Sequence, residues 1–123
     1  MAITRPHISI ITLNVNRLNS QIKRHRVEEW IKKQDPTICC LQETHLSSKD
    51  KYRLKVKGWK MIFQENGIQR KVGIVVLISD EIDFKIEKVK KDTEGHFIMI
   101  KGVYQEDIIL IIFMFPIKEP RNI

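Results

Sequence analysis

The segment that most constrains the fold runs from His7 to Gln42: "HISIITL", a polar loop, a helical stretch, then "TICCLQ". The two short apolar runs, His7–Leu13 and Thr37–Gln42, read as strands. Between them, about Ser20 to Lys33, the residues Ile22, Val27, Trp30 and Ile31 form an apolar stripe, and Asn19 or Ser20 is available as a cap. Asp35-Pro36 then breaks the helix. A strand–helix–strand crossover places its two strands parallel in one sheet, with both C-terminal ends on the same edge. In open α/β sheets that edge is where ligands bind. Asn14 ends the first strand and Glu43 ends the second, so an amide and a carboxylate share a rim.

The remainder reads as mostly β. Strands are predicted at Trp59–Gln64, Gly73–Ser79, Asp83–Val89, His96–Val103 and Asp107–Phe113. Glu65–Lys71 is a predicted turn carrying an Asn66-Gly67 signal, Lys88–Glu94 a charged turn, and Gln105-Glu106 a tight one. In Asp83–Val89, Phe84 and Ile86 alternate with Lys85 and Glu87, so one face is wet. Asp107–Phe115 is apolar on both alternating faces after its first residue, the pattern of a strand covered on both sides. No repeat or linker interrupts the 123 residues, which read as one α/β unit dominated by a sheet.

Composition excludes several classes. Apolar residues make up 42%, too many for a disordered chain. The longest apolar run, Ile108–Phe115, is far short of the roughly 20 residues a spanning helix needs. The N-terminus lacks a signal-peptide layout. The only cysteines, Cys39 and Cys40, are adjacent in a strand, so they point to opposite faces and suit packing rather than a disulfide. Reduced thiols fit a nuclear or cytoplasmic chain that is not secreted. The net charge of +7 suits an anionic partner as well as it suits a generic basic surface. Lys23, Arg24 and Arg26 are the candidates for nucleic-acid contact, although a solvated face is the plainer reading of that patch.

Asn14 and Glu43 together have a chemical use. A hard cation such as Mg²⁺ takes oxygen ligands from one or two carboxylates and from substrate phosphate, and a nearby amide can hydrogen-bond a phosphate oxygen. Such a pair begins a phosphodiester-cleaving site. On spacing alone, two ordinary strand ends remain the simpler account.

The stretch "HISIITLNVNRLNSQIKRHRVEEWIKKQDPTICCLQETHL" closely resembles the N-terminus of the endonuclease domain of LINE retrotransposons, encoded in their second open reading frame. That domain belongs to the endonuclease/exonuclease/phosphatase superfamily, which is DNase-I-like. The resemblance continues through "LKVKGWKMIFQENGIQRKVGIVVLISDEIDFKIEKVKKDTEGHFIMIKG". It is clearest over residues 7–102, with a divergent tail at 103–123. It implies a truncated domain over residues 1–123: a partial DNase-I-like α/β sandwich, one β-sheet with a packed helix, the second half absent.

The implied activity is metal-dependent nicking of DNA within a reverse-transcriptase polyprotein. A histidine–aspartate pair would activate water, a carboxylate-bound Mg²⁺ would stabilise the leaving group, and asparagines would orient the phosphate. By the match, "LNVN" makes Asn14 the active-site asparagine and "QETH" makes Glu43 the metal-coordinating carboxylate. Asn16 and Gln42 are supporting candidates, and packing or turn roles suit them equally; His45 reads as a loop residue.

Departures from the family pattern matter. Arg17 stands where the family has glycine, and its bulk and charge imply a distorted loop around Asn14. Met114-Phe115-Pro116-Ile117 stands where the family has Tyr-Ala-Pro-Asn, so a hydroxyl and an amide are missing. The family's later aspartates, asparagine and histidine lie beyond this stretch. The resemblance therefore implies an inactive fragment that binds Mg²⁺ weakly. It binds DNA, if at all, in a salt-sensitive, sequence-indifferent way, does not bind membranes, and self-associates through its apolar C-terminal strand. The alternative is a non-enzymatic basic protein from a decayed retroelement, binding nucleic acid or protein weakly.

Overall fold

The structure is a computed structural model, and it describes residues 8–18, 20–45, 54–65, 73–92 and 96–115. The chain divides into two compact units, Met1–Ile82 and Asp83–Ile123. In the first, β1 (Ile10–Asn14), α1 (Gln21–Gln34), β2 (Ile38–Gln42), β3 (Trp59–Glu65) and β4 (Ile74–Ser79) form a four-stranded sheet of order β1-β2-β4-β3 with one helix. In the second, β5 (Phe84–Lys91), β6 (Phe97–Tyr104) and β7 (Asp107–Met114) form an antiparallel three-stranded sheet. The α/β class of the sequence reading holds, and the first unit is the expected sheet with a helix. The expected single sheet is two, because the strands split between the units.

The crossover is as expected. β1 and β2 are parallel, in register from Ile10 opposite Ile38 to Asn14 opposite Gln42. Ser20 caps α1, its hydroxyl accepting from the Lys23 N–H at 3.1 Å, and Asp35 closes it in the left-handed region with its N–H donating to the Ile31 carbonyl at 2.8 Å. The alternative cap, Asn19, lies outside the described residues, as does the Asn66-Gly67 turn.

Which side chains α1 buries differs from the periodicity reading. Val27 and Ile31 are buried and Trp30 packs against their cluster, but Ile22 is 69% exposed. Arg24 lies three residues before Val27 and takes the buried place instead. The cluster beneath α1 joins Val15, Leu18, Cys39, Leu41, Leu54, Val56, Val75 and Leu77. Cys39 belongs to it and Cys40 does not, as opposite strand faces require; both are free, and burial pushes both thiols up to about 12.

In the second unit, β5 continues through Lys91 where a charged turn was expected. A bulge between Ile86 and Lys88 re-phases the strand, so that Lys88 and Lys90 stay exposed while Val89 turns partly inward. The β6–β7 turn is tight, with Gln105 and Glu106 at φ 49° and 69°. On β7, Ile111 and Phe113 are buried, while Ile108, Leu110, Ile112 and Met114 are 69%, 55%, 52% and 77% exposed. The apolar pattern suited a strand covered on both sides; here only the Ile111 and Phe113 face is covered.

Gly102 sits opposite Ile86 on β6. A Cβ there would lie 2.3 Å from the Phe84 ring and 2.7 Å from the Lys85 carbonyl oxygen. The ring is itself buried and the carbonyl belongs to the backbone, so neither yields easily. Gly102→Ala is expected to lower stability by about 1–3 kcal/mol, read from the urea midpoint; an unchanged midpoint would show that β5 can move away.

Candidate functional site

The site is built where β1 and β2 end. Their parallel ladder continues past both strands in irregular form. The Val15 N–H donates to the Gln42 carbonyl at 3.0 Å, Arg17 N–H to Glu43 at 2.7 Å and Leu18 N–H to Thr44 at 2.8 Å. The Thr44 N–H in turn reaches the Gly73 carbonyl at 3.3 Å. The two loops, Asn14–Leu18 and Gln42–His45, are thus sewn together by backbone hydrogen bonds. Buried Val15, Leu18 and Thr44 alternate with outward polar residues: Asn14, Asn16 and Arg17 are exposed, and Gln42, Glu43 and His45 are partly so.

Backbone strain concentrates here. Asn16, Arg17, Glu43 and His45 all have positive φ, at 46°, 78°, 56° and 50°. Asparagine tolerates that region because its short side chain bonds locally. Asn14 Oδ1 accepts from the Asn16 N–H at 3.0 Å, which holds the turn. Arg17 has no such excuse. It keeps the conformation a glycine would adopt, and it does so with its side chain in solvent.

Two cations of α1 fasten the loop from below. The Lys23 ammonium donates to the Asn16 carbonyl. The Arg24 guanidinium, 6% exposed, donates to the Leu18 carbonyl at 2.8 Å. Arg24 is therefore corrected from a surface contact for nucleic acid to a buried anchor of the asparagine loop. A signal for this was available: a cation on the same stripe as Val27 and Ile31 must be buried with a partner. Lys23 is half-buried, and Arg26 is exposed beside a groove that it lines with Gln21, Ile22 and His25. Thr44 was also missed; its Oγ1 is fully buried and has no hydrogen-bond partner among the described residues.

Of the sequence candidates, Asn14, Asn16, Gln42 and Glu43 come together at one rim. Their donor set is thin for a divalent cation: one carboxylate and three amide side chains, with the Asn14 oxygen already accepting a hydrogen bond. No group of three or more His, Cys, Asp or Glu residues among the described residues could hold a metal ion. These residues alone do not fit a Mg²⁺ site. Met114 is exposed at the end of β7 and offers no hydroxyl, and Ile117 lies outside the described residues. A His–carboxylate contact does occur, His96 Nδ1 to Asp92 Oδ2 at 3.3 Å, but it clips the β5–β6 connection in the other unit.

The sequence matches the endonuclease/exonuclease/phosphatase family over residues 11–113, and the chain belongs to that family. The fold is similar to that of D. rerio TDP2 humanized by 14 mutations, with TM-score 0.63 and 13% identity over 85% of this chain and 48% of that one. It is similar to D. rerio TDP2 complexed with single-strand DNA product, with TM-score 0.62 and 15% identity over 85% and 44% of the two chains. It is also similar to the AP endonuclease LMAP from Leishmania major, with TM-score 0.60 and 14% identity over 87% and 39%. The chain thus spans less than half the length of each of these structures.

Replacing Arg17 by glycine removes a left-handed penalty of about 1–2 kcal/mol and adds a smaller unfolded-state entropy cost. Arg17→Gly is expected to raise stability by about 0.5–1 kcal/mol in denaturant unfolding. A loss of stability would mean that the Arg17 side chain is making contacts that outweigh its backbone strain.

Proposed function

We propose that the chain is the N-terminal half of a DNA-nicking endonuclease domain of the LINE retrotransposon type, part of a reverse-transcriptase polyprotein, and that these residues alone do not cleave DNA. The observation that carries the reading is the parallel register that sets Asn14 beside Gln42, with Glu43 one step further on. That arrangement suits an amide that orients a scissile phosphate and a carboxylate that takes part in holding Mg²⁺. In the complete activity the ion would polarise the phosphate and stabilise the leaving oxygen. Among the described residues Glu43 is the one carboxylate at this rim, so Mg²⁺ binding is weak. Asn16 and Gln42 position the loop and the rim rather than touch substrate.

A general acid or base contributes typically about 10²–10⁴-fold; among the described residues the rim has no histidine–aspartate pair, and Met114 brings no hydroxyl. Supercoiled plasmid incubated with the chain and Mg²⁺ is therefore expected to stay supercoiled. Nicking that a Glu43→Ala variant loses would overturn the inactive reading. The thin donor set favours a second reading of the chain's own role: a non-enzymatic basic protein from a decayed retroelement, nuclear or cytoplasmic.

Both readings share a weak affinity for DNA, carried by Arg26 and by the net charge of +7. Phosphate contacts dominate such binding, and counterion release makes it salt-dependent. Anisotropy titrations with labelled duplexes are expected to show affinity falling steeply with added salt and equal for unrelated sequences. Binding that ignores salt, or that prefers one sequence, would count against this. Strand β7, uncharged after Asp107, supplies a second association route, to copies of the chain itself.

A further inference from the structure

Lys23 and Arg24, consecutive in the first turn of α1, each reach a backbone carbonyl of the Asn14–Leu18 loop. The two contacts are not equivalent. Lys23 is half-buried, so water can take its place at the Asn16 carbonyl. Arg24 is nearly buried and Leu18 fully so, and water has no comparable access there. A buried cation and a buried carbonyl each cost free energy unless hydrogen-bonded, and the 2.8 Å contact between them satisfies both. Filling the space beside Val27 needs only the hydrocarbon stem of Arg24; the guanidinium serves the loop.

Leu18 is held from its other side as well. Its N–H donates to the Thr44 carbonyl at 2.8 Å, and one residue earlier the Arg17 N–H donates to the Glu43 carbonyl at 2.7 Å. Arg17 and Glu43 are both left-handed. Strain of that kind relaxes unless surrounding contacts hold it. The path from Arg24 through Leu18 thus ends on both strained loops of the rim.

We propose that Arg24 is a positioning residue: through Leu18, its guanidinium holds the loop that carries Asn14 against the loop that carries Glu43 and keeps both in left-handed geometry. That this rim meets a phosphodiester rests on the function proposed above. The positioning does not, because every contact in the path lies within the first unit and is read as conformation rather than cleavage. A chain that nicks DNA would refute the inactive reading and leave this role of Arg24 untouched.

A left-handed residue brings its own amide and α protons close, which gives a strong intraresidue NOE. In the full chain Asn16, Arg17 and Glu43 are expected to show it, as are Asp35 at the far end of α1 and Gln105 in the second unit. Arg24→Met keeps the stem and removes the donor. In it the signal is expected to fade at Asn16, Arg17 and Glu43 and to persist at Asp35 and Gln105, which report a folded chain. Persistence at all three loop residues would overturn the proposal. Should Arg24→Met lose the Asp35 signal too, Arg24→Lys decides. Its single ammonium on a shorter stem is expected to weaken the three loop signals selectively, and unchanged signals would again overturn the proposal. Denaturant unfolding supplies a second readout. The change that Arg17→Gly makes to the urea midpoint is expected to shrink by at least about half when Arg24 is also replaced, because the loop has already relaxed. Full additivity of the two substitutions would show that Arg24 does not hold the strain, and would overturn the proposal.

Discussion

The parallel pairing of β1 with β2 is the interaction on which the rest depends. It cannot be made by a hairpin, so α1 must cross over the sheet, and the buried cluster of Val15, Leu18, Val27, Ile31, Cys39 and Leu41 is what that crossover covers. The same pairing aligns the ends of both strands. The three backbone hydrogen bonds from Val15, Arg17 and Leu18 to Gln42, Glu43 and Thr44 extend it into the loops. Without this ladder Asn14 and Glu43 would be unrelated polar residues at two loop starts.

The rim is held by opposed forces. Four left-handed residues place strain where the polar side chains emerge, and strain of this kind persists only where surrounding structure over-determines it. Here the restraint comes from α1. Arg24 and Lys23 reach the Leu18 and Asn16 carbonyls, so part of the positive charge that would suit an anionic partner is committed to architecture. The Thr44 hydroxyl, buried without a partner among the described residues, adds a further cost at the same place. The family membership and the rim go together; among the described residues, the donor set that would complete a metal site does not accompany them.

In the second unit, charge and apolarity are separated by strand. β5 carries the lysines and the bulge, whereas β7 carries only apolar residues after Asp107. The register Lys88–Lys101–Leu110 across the three strands shows the gradient directly. One edge of this sheet is thereby protected by solvation of its cations and the other is not.

Much was legible in the sequence because it rests on local rules. Short apolar runs bounded by Asp35-Pro36 and capped by Ser20 define β1, α1 and β2, and the crossover rule then makes the strands parallel and aligns Asn14 with Gln42, one residue before Glu43. What tertiary structure decided rests on contacts between distant residues. Periodicity alone put Ile22 on the buried stripe, yet the Leu18 carbonyl needed a donor and Arg24 took the place. Local charge read as a turn at Lys88, yet pairing with β6 and a bulge carried β5 on to Lys91. On β7 both faces are apolar, so alternation could not choose between them; only packing, which buries Ile111 and Phe113, left Leu110 and Ile112 in water. Burial is a property of neighbours, and neighbours are assigned by the fold.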